Sequence, residues 1–447
     1  MPGFPISLAN PVEHGGPLPE QADVVIIGGG VIGVSAAYYL ARRGLRPVVL
    51  EKGRVAGEQS SRNWGWIRQQ GRDLAELPIM IEARRLWCEL AAELDEDIGL
   101  TPCGLSFLGR SDADVDRYEA WLKEAAPMGL DSRVLGTAAL EALIPGMSHR
   151  YRGALHTPSD MRAEPFLAVP ALARAAVRAG AVIVEGCAAR CLDLGGGRIT
   201  GVVTEQGLVR APQVIVAGGA WSSLFLRNEG IDIPQLSVRA TVAATAPLPE
   251  IHAGGATDDR LAFRRRMDGG YTLAASGYHE TFIGPDSFRH FTTYLPQLLN
   301  RPFARAYRLR GPAGYPDGWR TRRRWRGDAV TPFERMRMLD PAPNAAKVAE
   351  IRAGFETLLP ALGEVRITAA WAGMIDAMPD IVPVVDRGPI AGLLICTGMC
   401  GHGFGIGPAF GRIMADMVRD APLGHDLSRF RLSRFSDGSR LVPGPDL

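Results

Sequence analysis

The fold of this chain is decided by the stretch Asp23-Val24-Val25-Ile26-Ile27-Gly28-Gly29-Gly30-Val31-Ile32-Gly33. Its first five residues are mostly apolar and β-branched, which is typical of a strand buried on both faces of a parallel sheet. The glycines that follow have the spacing GxGxxG. Gly28 permits a tight turn, Gly30 lets a pyrophosphate approach the backbone, and Gly33 lets the next helix lie against the strand. The pattern predicts a dinucleotide-binding unit.

The residues after the glycines complete this unit. We expect a helix from about Val31 to Arg43, with its positive dipole end toward the phosphates and Gly44 as its C-terminal cap. The strand 47–50 then leads to Glu51, near the ~20-residue separation at which a carboxylate usually accepts the ribose hydroxyls. Because strand, motif, helix, strand and acid occur in order, we favour a dinucleotide fold over a glycine-rich turn without a ligand.

Length and composition limit the class of protein. The 447 residues exceed one ordinary core, so two domains are expected. A hydrophobic content of 46%, a charged content of 22% and a net charge of +2 indicate a soluble globular protein without a preference for nucleic acid. No apolar run reaches the ~18 residues of a membrane span. Residues 1–20 lack the organisation of a signal peptide, so we expect a loose extension and a cytoplasmic protein.

The cysteines indicate neither a metal site nor a disulfide framework. They show no CxxC pair and no dense spacing, so reduced thiols and no bound metal are expected. The six cysteines are Cys88, Cys103, Cys187, Cys191, Cys396 and Cys400.

Beyond Glu51 the chain departs from an NAD-binding pattern. Residues 52–71 form a polar, glycine-punctuated segment with Ser60-Ser61-Arg62-Asn63-Trp64-Gly65-Trp66 at its centre. Hydroxyls, an amide and a guanidinium suit a long ligand with two phosphates and a polyol, as in FAD. The alternative is a solvated surface loop.

With these residues the chain resembles the D-amino acid oxidase-like family of FAD-dependent amine and amino acid oxidoreductases, which includes glycine oxidase, sarcosine oxidase and D-amino acid dehydrogenases. The resemblance extends to the segments 214–221, 371–380 and 401–405, and therefore covers most of the chain. It implies an α/β fold with a Rossmann-like FAD-binding domain and a discontinuous α+β substrate domain built on a mostly antiparallel sheet.

The expected domains follow from these segments. The FAD-binding domain comprises residues 21–85, 151–230 and 365–435, the substrate domain comprises residues 86–150 and 231–364, and residues 436–447 form a tail. The residues expected to bind non-covalent FAD are Gly28, Gly30, Val31, Ile32, Gly33, Glu51, Lys52, Ser60, Ser61, Arg62, Asn63, Trp64, Gly65, Trp66, Ala217, Gly218, Trp221, Gly373, Met374, Asp376, Gly401, His402, Gly403, Phe404 and Gly405.

Several elements outside the glycine motif are also predicted. Helical spacing dominates residues 83–126, interrupted by a short strand at 105–108, and helices are expected at 166–179, 288–299 and 409–418. Asp268-Gly269-Gly270 is a hairpin signal between two strands. The basic segment 320–326 is expected to be a solvated or ion-paired loop and not an RNA-binding patch.

The family resemblance implies the chemistry. Hydride would leave the Cα of an amino acid for N5 of the flavin, giving an imine that hydrolyses to a keto acid, without an obligatory side-chain base. Such a site needs a fixed cation for the substrate carboxylate. Strand alternation around the hairpin would place Arg264 and Arg266 on the same face as Tyr271 and Leu273, so we predict Arg264 and Tyr271 as the clamp. An arginine triplet facing solvent is the alternative.

Other candidates surround the expected flavin. His402 would tune flavin N1 or the substrate amine, unless it is a satisfied loop histidine; Arg62 and Arg68 are further candidates, and His279 is a weaker one. Some relatives link FAD covalently through Cys or His. We expect dissociable FAD because no Cys follows Met374 and Arg62 occupies the loop where a linking His would be sought.

The predicted activity is oxidation of the C–N bond of an amino acid or N-substituted amino acid, with oxygen or another electron acceptor as the second substrate. Oxidation of a 2-hydroxy acid is an alternative on the same scaffold, and a flavin-binding subunit of a heteromeric dehydrogenase is another. The sequence leaves the enantiomer, the choice between oxidase and dehydrogenase, and the oligomeric state open.

Overall fold

The computed structural model describes residues 5–299 and 304–444 and contains a six-stranded sheet of the predicted Rossmann-like type. Its strands are parallel except for one antiparallel edge strand. In spatial order they are Val384–Arg387, Leu393–Thr397, Val214–Val216, Val24–Ile27, Pro47–Glu51 and Val182–Glu185. The central strands are buried on both faces, as their apolar β-branched residues predict.

Three helices pack against this sheet and against one another: Val31–Arg42, Pro165–Arg178 and Gly403–Val418. The first ends as predicted, with Gly44 in the left-handed conformation at φ +80°. The last begins six residues before the predicted Ala409, since its glycines serve close packing. A Cβ on Gly407 would lie 2.7 Å from Val31 Cγ2, and one on Gly411 would lie 2.3 Å from Ser35 Cβ.

A ten-stranded, mostly antiparallel sheet forms the second layer, as expected for the substrate domain. Two pairs are parallel, 255–257 with 105–109 and 278–282 with 304–308. In order the strands are Ala304–Arg308, Tyr278–Phe282, Leu236–Thr245, Tyr271–Ala274, Ala262–Arg265, Gly255–Thr257, Leu105–Gly109, Gly153–Thr157 and Arg133–Gly136, with Ile367–Ala377 on the other edge of Leu236–Thr245.

Two strands of the large sheet come from segments that the sequence assigns to the other domain. Strands Gly153–Thr157 and Ile367–Ala377 belong to the large sheet, although the sequence places both in FAD-binding segments. Two smaller sheets comprise Ala189–Gly195, Arg198–Thr204 and Leu208–Arg210, and Trp66–Ile67, Met161–Arg162 and Thr101–Pro102. The remaining α-helices are Gln59–Arg62, Leu77–Glu93, Asp112–Ala125, Thr137–Leu143, Ser222–Asn228, Pro285–Arg289, Phe291–Leu299, Pro332–Arg335 and Ala345–Leu358.

Three local predictions can be compared with these elements. The hairpin at 268–270 forms as predicted, between Ala262–Arg265 and Tyr271–Ala274. The helix predicted at 288–299 is two helices, separated at His290. The basic segment 320–326 is ion-paired: Arg323 lies 2.8 Å from Asp317, and Trp325 is buried against the core.

Residues 5–20 are fastened to the FAD-binding sheet, which corrects the prediction of a loose extension. Ile6 is buried, the N–H groups of Glu13 and His14 donate to the Glu185 carboxylate, and Gly15 forms a β-bridge with Val184. Residues 1–4 of that extension and residues 445–447 of the predicted tail lie outside the described residues. Within the described ranges, no helix is long and apolar enough to cross a membrane.

Candidate FAD and substrate site

A cavity of about 840 Å³ lies where the parallel strands end. Ile27, Leu50, Val216 and Thr397, each at the carboxyl end of its strand, contribute to its lining. In doubly wound α/β folds this edge is where a ligand binds. The opposite wall comes from the large sheet, so the cavity joins the two layers.

The glycine corner leaves no room for side chains. Gly28 has φ +112°, and a Cβ there would lie 2.5 Å from the carbonyl oxygen of Ala217. A Cβ on Gly33 would lie 2.0 Å from the carbonyl oxygen of Gly28. The glycines therefore allow strand, turn and helix to approach as the GxGxxG motif predicts.

The helix Val31–Arg42 directs its N-terminus at the cavity. Its first turn has no acidic residue, and no side chain of the described residues caps it in the usual way. Ser60 Oγ, which also lines the cavity, accepts the Val31 N–H at 2.9 Å. The remaining N–H groups of the first turn and the helix dipole suit a pyrophosphate, as FAD would supply.

Glu51 lies at the end of its strand, as predicted. Its carboxylate accepts the N–H groups of Gly29 at 2.8 Å and Gly53 at 2.7 Å. Burial raises the pKa of Glu51 despite the nearby Lys52 charge. Because each carboxylate oxygen has a second lone pair, Glu51 can still accept a ribose hydroxyl.

A second glycine corner follows the strand Leu393–Thr397, at the same edge of the parallel sheet as the first. Asp376 Oδ2 accepts the N–H groups of Gly398 at 2.9 Å and Met399 at 3.1 Å. The other oxygen of Asp376 is buried and has no hydrogen-bond partner among the described residues. The uncapped helix Gly403–Val418 begins beside it, with His402 at its N-cap. An orphaned buried oxygen and a free helix N-terminus fit the polar groups of a flavin ring.

Most of the predicted FAD-binding residues line this one cavity. They are Gly28, Gly30, Val31, Ile32, Glu51, Lys52, Ser60, Arg62, Asn63, Trp64, Trp66, Ala217, Gly218, Trp221, Gly373, Asp376, Gly401, His402, Gly403 and Phe404. Five others lie outside the lining: Gly33, Gly65 and Gly405 allow close approach of the backbone, Met374 packs in a hydrophobic core, and Ser61 is buried.

The predicted clamp, Arg264 and Tyr271, lies away from the cavity lining. Both Arg264 side-chain amino groups donate to Glu164, at 2.9 and 2.7 Å, in a fully buried ion pair. Tyr271 packs against Phe263 and Phe355 in a separate hydrophobic core.

The predicted face of the hairpin is wrong by one residue. Tyr271 pairs with Arg265, whose guanidinium lies 5.0 Å from its ring centroid, and Arg264 pairs with Thr272. Directly paired residues share a face, so Arg264 and Tyr271 point to opposite sides of the sheet.

The large sheet supplies an apolar wall. Leu236, Val238, Ala240 and Val242 line the cavity because alternate residues of a strand point to the same side. The indole rings of Trp64 and Trp66 meet edge to face, with centroids 5.0 Å apart. A wall of this kind limits the access of water to the reacting atoms.

A charged cluster that the sequence only partly predicted lies at the other side of this space. It contains the predicted candidates Arg68 and His402 together with Arg72 and Glu76, which sequence reasoning missed. Arg72 and Glu76 precede the helix Leu77–Glu93, so no helical spacing signalled their pairing. The weaker candidate His279 also lines the cavity, and Arg62 is committed to Asp340 and to backbone carbonyls.

Comparison with known proteins agrees with this geometry. The sequence profile of the FAD dependent oxidoreductase family (DAO) matches residues 23–417. Human mitochondrial sarcosine dehydrogenase is 28% identical over 274 residues, which are 59% of this chain and 29% of that protein, so the chain spans less than a third of that relative. Sarcosine oxidase subunit beta of Rhizobium meliloti (strain 1021) is 25% identical over 423 residues, covering 93% of this chain and 89% of the relative.

Solved structures extend the similarity to the fold. The L-amino acid deaminase from Proteus myxofaciens, in complex with anthranilate, superimposes with a TM-score of 0.90 at 28% identity and covers 94% of this chain and 95% of that one. Glycine oxidase from Geobacillus kaustophilus superimposes with a TM-score of 0.74 at 20% identity, covering 93% and 99%. The chain therefore belongs to the DAO family of FAD-dependent oxidoreductases, and FAD is its cofactor, as the resemblance of its glycine segments predicts.

Proposed function

We propose that this protein oxidises the C–N bond of an amino acid or an N-methyl amino acid. The names of its relatives, which act on sarcosine and L-amino acids, support this class of substrate. The observation that carries the proposal is an arginine in the cavity, Arg68, that has no carboxylate partner. Bound FAD would supply the two-electron acceptor for the hydrogen on Cα.

Arg68 is distinguished by comparison with the other arginines that line the cavity. Arg62, Arg72, Arg110, Arg117 and Arg337 each lie within 4 Å of a carboxylate. Among the described residues, Arg54 and Arg68 have no such partner. Arg54 adjoins Gly53 at the Glu51 end and donates to the carbonyls of Asn10 and Gly53.

The environment of Arg68 favours binding of an anion. Burial and the neighbouring Arg72 charge lower the pKa of Arg68 to about 9, so its guanidinium is still charged at pH 7. A substrate carboxylate would offset the cost of burying this charge and would be bound by two parallel hydrogen bonds. The apolar strand wall then receives the substrate side chain.

The proposed activity is tested by mixing the oxidised protein anaerobically with a panel of D-, L- and N-methyl amino acids and, for comparison, of 2-hydroxy acids. We expect at least one to bleach the flavin absorbance, because the reduced flavin cannot be reoxidised without an acceptor. Admission of oxygen, or of an artificial dye, then identifies the class of acceptor. Bleaching by 2-hydroxy acids alone, or by none of these compounds, would overturn the proposal.

Replacing Arg68 by glutamine should weaken substrate binding. Loss of a charge-assisted hydrogen-bonded pair costs about 1.5–3 kcal/mol, so the substrate Kd should rise roughly 10- to 100-fold. The Kd comes from the dependence of the anaerobic bleaching rate on substrate concentration. Arg54→Gln is the matched control, since it removes the other cavity arginine without a carboxylate and should leave Kd unchanged. Equal effects of the two substitutions would assign the carboxylate elsewhere.

FAD should leave the protein on denaturation. The cavity contains two cysteines, Cys396 and Cys400, whose pKa values are raised by burial and which therefore remain thiols. A thiol is a poor nucleophile toward a flavin carbon. We expect acid precipitation to release all yellow colour to the supernatant. A yellow pellet would show a covalent link, and mass spectrometry of a digest would then locate it.

A further inference from the structure

Four side chains at the cavity form a compact charged cluster. Arg68 Nη2 lies 3.4 Å from Nε2 of His402, and Nδ1 of His402 lies 3.4 Å from Oε2 of Glu76. Arg72 lies 3.4 Å from the same Glu76 oxygen and donates to the carbonyl oxygen of His402. Arg68 and His402 line the cavity, whereas Glu76 lies behind them and is 1% exposed.

These contacts fix the roles of the two imidazole nitrogens. A guanidinium only donates hydrogen bonds, so Nε2 of His402 is the acceptor and Nδ1 carries the proton toward Glu76. At 3.4 Å the contact from Nδ1 of His402 to Glu76 is a weak one, and Oε1 of Glu76 is buried without a hydrogen bond to any described residue. Unpaired buried polar atoms are costly in a resting structure. An imidazolium at His402 would draw the Glu76 carboxylate into a proper ion pair.

Burial and the two arginines of the cluster keep His402 neutral while the cavity lacks an anion. Two guanidinium groups, Arg68 and Arg72, face one carboxylate, Glu76, and a second buried acid nearby, Asp160, has its pKa raised by burial to about 7. Burial together with these arginines lowers the pKa of His402 to about 4, in spite of Glu76. Burial would raise the pKa of Glu76, but its neighbours His402, Arg72 and Arg68 outweigh burial and lower it.

We propose that the substrate carboxylate, on binding Arg68, releases Nε2 of His402, which then accepts a proton from the substrate ammonium group. Glu76 is the positioning residue that holds the imidazole and stabilises its protonated form. The inference rests on the proposed function. In this step one ammonium N–H bond breaks, its electron pair stays on the substrate nitrogen, and a new N–H bond forms at Nε2. No electrons reach the flavin in this step.

The chemistry gives this step a purpose. An amino acid is mainly an ammonium ion at pH 7, whereas oxidation at Cα needs the nitrogen lone pair. A base that is occupied by Arg68 until a carboxylate arrives becomes available only with substrate in place. The negative charge of the substrate carboxylate also favours the imidazolium, because the carboxylate and Glu76 together balance the charges of Arg68 and Arg72.

The first test needs no turnover. Histidine imidazole resonances of the FAD-loaded protein are titrated against pH with and without benzoate, a carboxylate without an amine, and His402→Asn assigns the resonance of His402. Benzoate should raise the pKa of His402 by at least about one unit. His425, which pairs with Glu82 at 2.6 Å outside the cavity, is the internal control and should not respond. An unchanged His402 would overturn the inference.

The second test is the pH dependence of anaerobic flavin bleaching by the best amino acid. His402→Asn should move the acidic limb of the profile to higher pH, because only the free amine then reacts, and Glu76→Gln should move it to lower pH, because the imidazolium loses its carboxylate partner. Both should slow bleaching at pH 7 at least tenfold, whereas Glu82→Gln, the same change in the control pair, should do neither. Bleaching with an identical profile in all variants would overturn the inference and leave the proposed function standing. Absence of bleaching with every amino acid would instead overturn the proposed function, and the inference with it.

Discussion

Replacing Gly33 by alanine should destabilise the FAD-binding sheet and remove the cofactor. The added Cβ would lie 2.0 Å from the carbonyl oxygen of Gly28 and 3.2 Å from Ile26 Cγ2. The first of these atoms belongs to the backbone of a tight turn, which cannot move aside as a flexible side chain can. Overpacking typically costs about 1–3 kcal/mol, and a contact this close to the backbone belongs at the upper end of that range. We expect a loss of that size in the free energy of unfolding.

The cofactor should report the same change independently. Moving the helix Val31–Arg42 away from Gly28 withdraws its N-terminus from the pyrophosphate, so the Kd for FAD should rise at least roughly tenfold, a loss of ~1.4 kcal/mol in binding, and the flavin absorbance per mole of purified protein should fall. Gly354→Ala is the control, because an added Cβ there meets nothing within 4 Å inside the helix Ala345–Leu358. It should retain full flavin and gain up to ~1 kcal/mol of stability. If Gly33→Ala behaved like this control, our account of the motif would be wrong.

Local signals were sufficient to predict the FAD-binding half of the fold. Apolar β-branched runs, glycine spacing and a C-terminal glycine act within a few residues, so the strand Val24–Ile27, the turn at Gly28 and the cap at Gly44 follow from the sequence. The helix Gly403–Val418 shows where such signals fail. Its glycines reduce helix propensity, but they allow contact with Val31 and Ser35, and that packing overrides propensity.

The substrate side of the site depends on contacts between distant residues, which the sequence does not reveal. Side chains do alternate along the strands of the hairpin, but the pairing of the strands differs by one residue from the prediction. Tyr271 therefore shares its face with Arg265 and not with Arg264. The partner of Arg264, Glu164, lies one hundred residues away in sequence. The sequence made Arg68 a candidate only because of its position in the loop. The structure distinguishes it, because most other arginines of the cavity are paired with a carboxylate and Arg68 is not.

The Arg264→Met variant should therefore unfold more readily than the parent protein, and its Kd for the substrate should not change. The Arg264 and Glu164 side chains are 2% and 0% exposed, and Arg264 also donates to the Trp64 carbonyl, so the pair ties the large sheet to the loop that carries Trp64. Burial would raise the pKa of Glu164, but Arg264 outweighs burial and lowers it. Removing Arg264 leaves this carboxylate buried without its main partner, which typically costs about 3–5 kcal/mol. Chemical denaturation of the FAD-loaded protein measures the loss.

Two further variants separate this explanation from the predicted clamp. The double variant Arg264→Met/Glu164→Gln no longer has an unpaired buried carboxylate, so it should recover part of the lost stability. The control, Arg85→Met, breaks the exposed pair with Glu89 and should change the free energy of unfolding by less than about 1 kcal/mol. The stability that the pair contributes should also decrease in acid. The pKa of Glu164 is lower in the folded than in the unfolded protein, so this contribution is complete at a pH above the unfolded-state pKa and is lost as the pH falls through the folded-state pKa. If Arg264→Met kept full stability and instead raised the substrate Kd, Arg264 would hold the substrate carboxylate and the role given to Arg68 would fail.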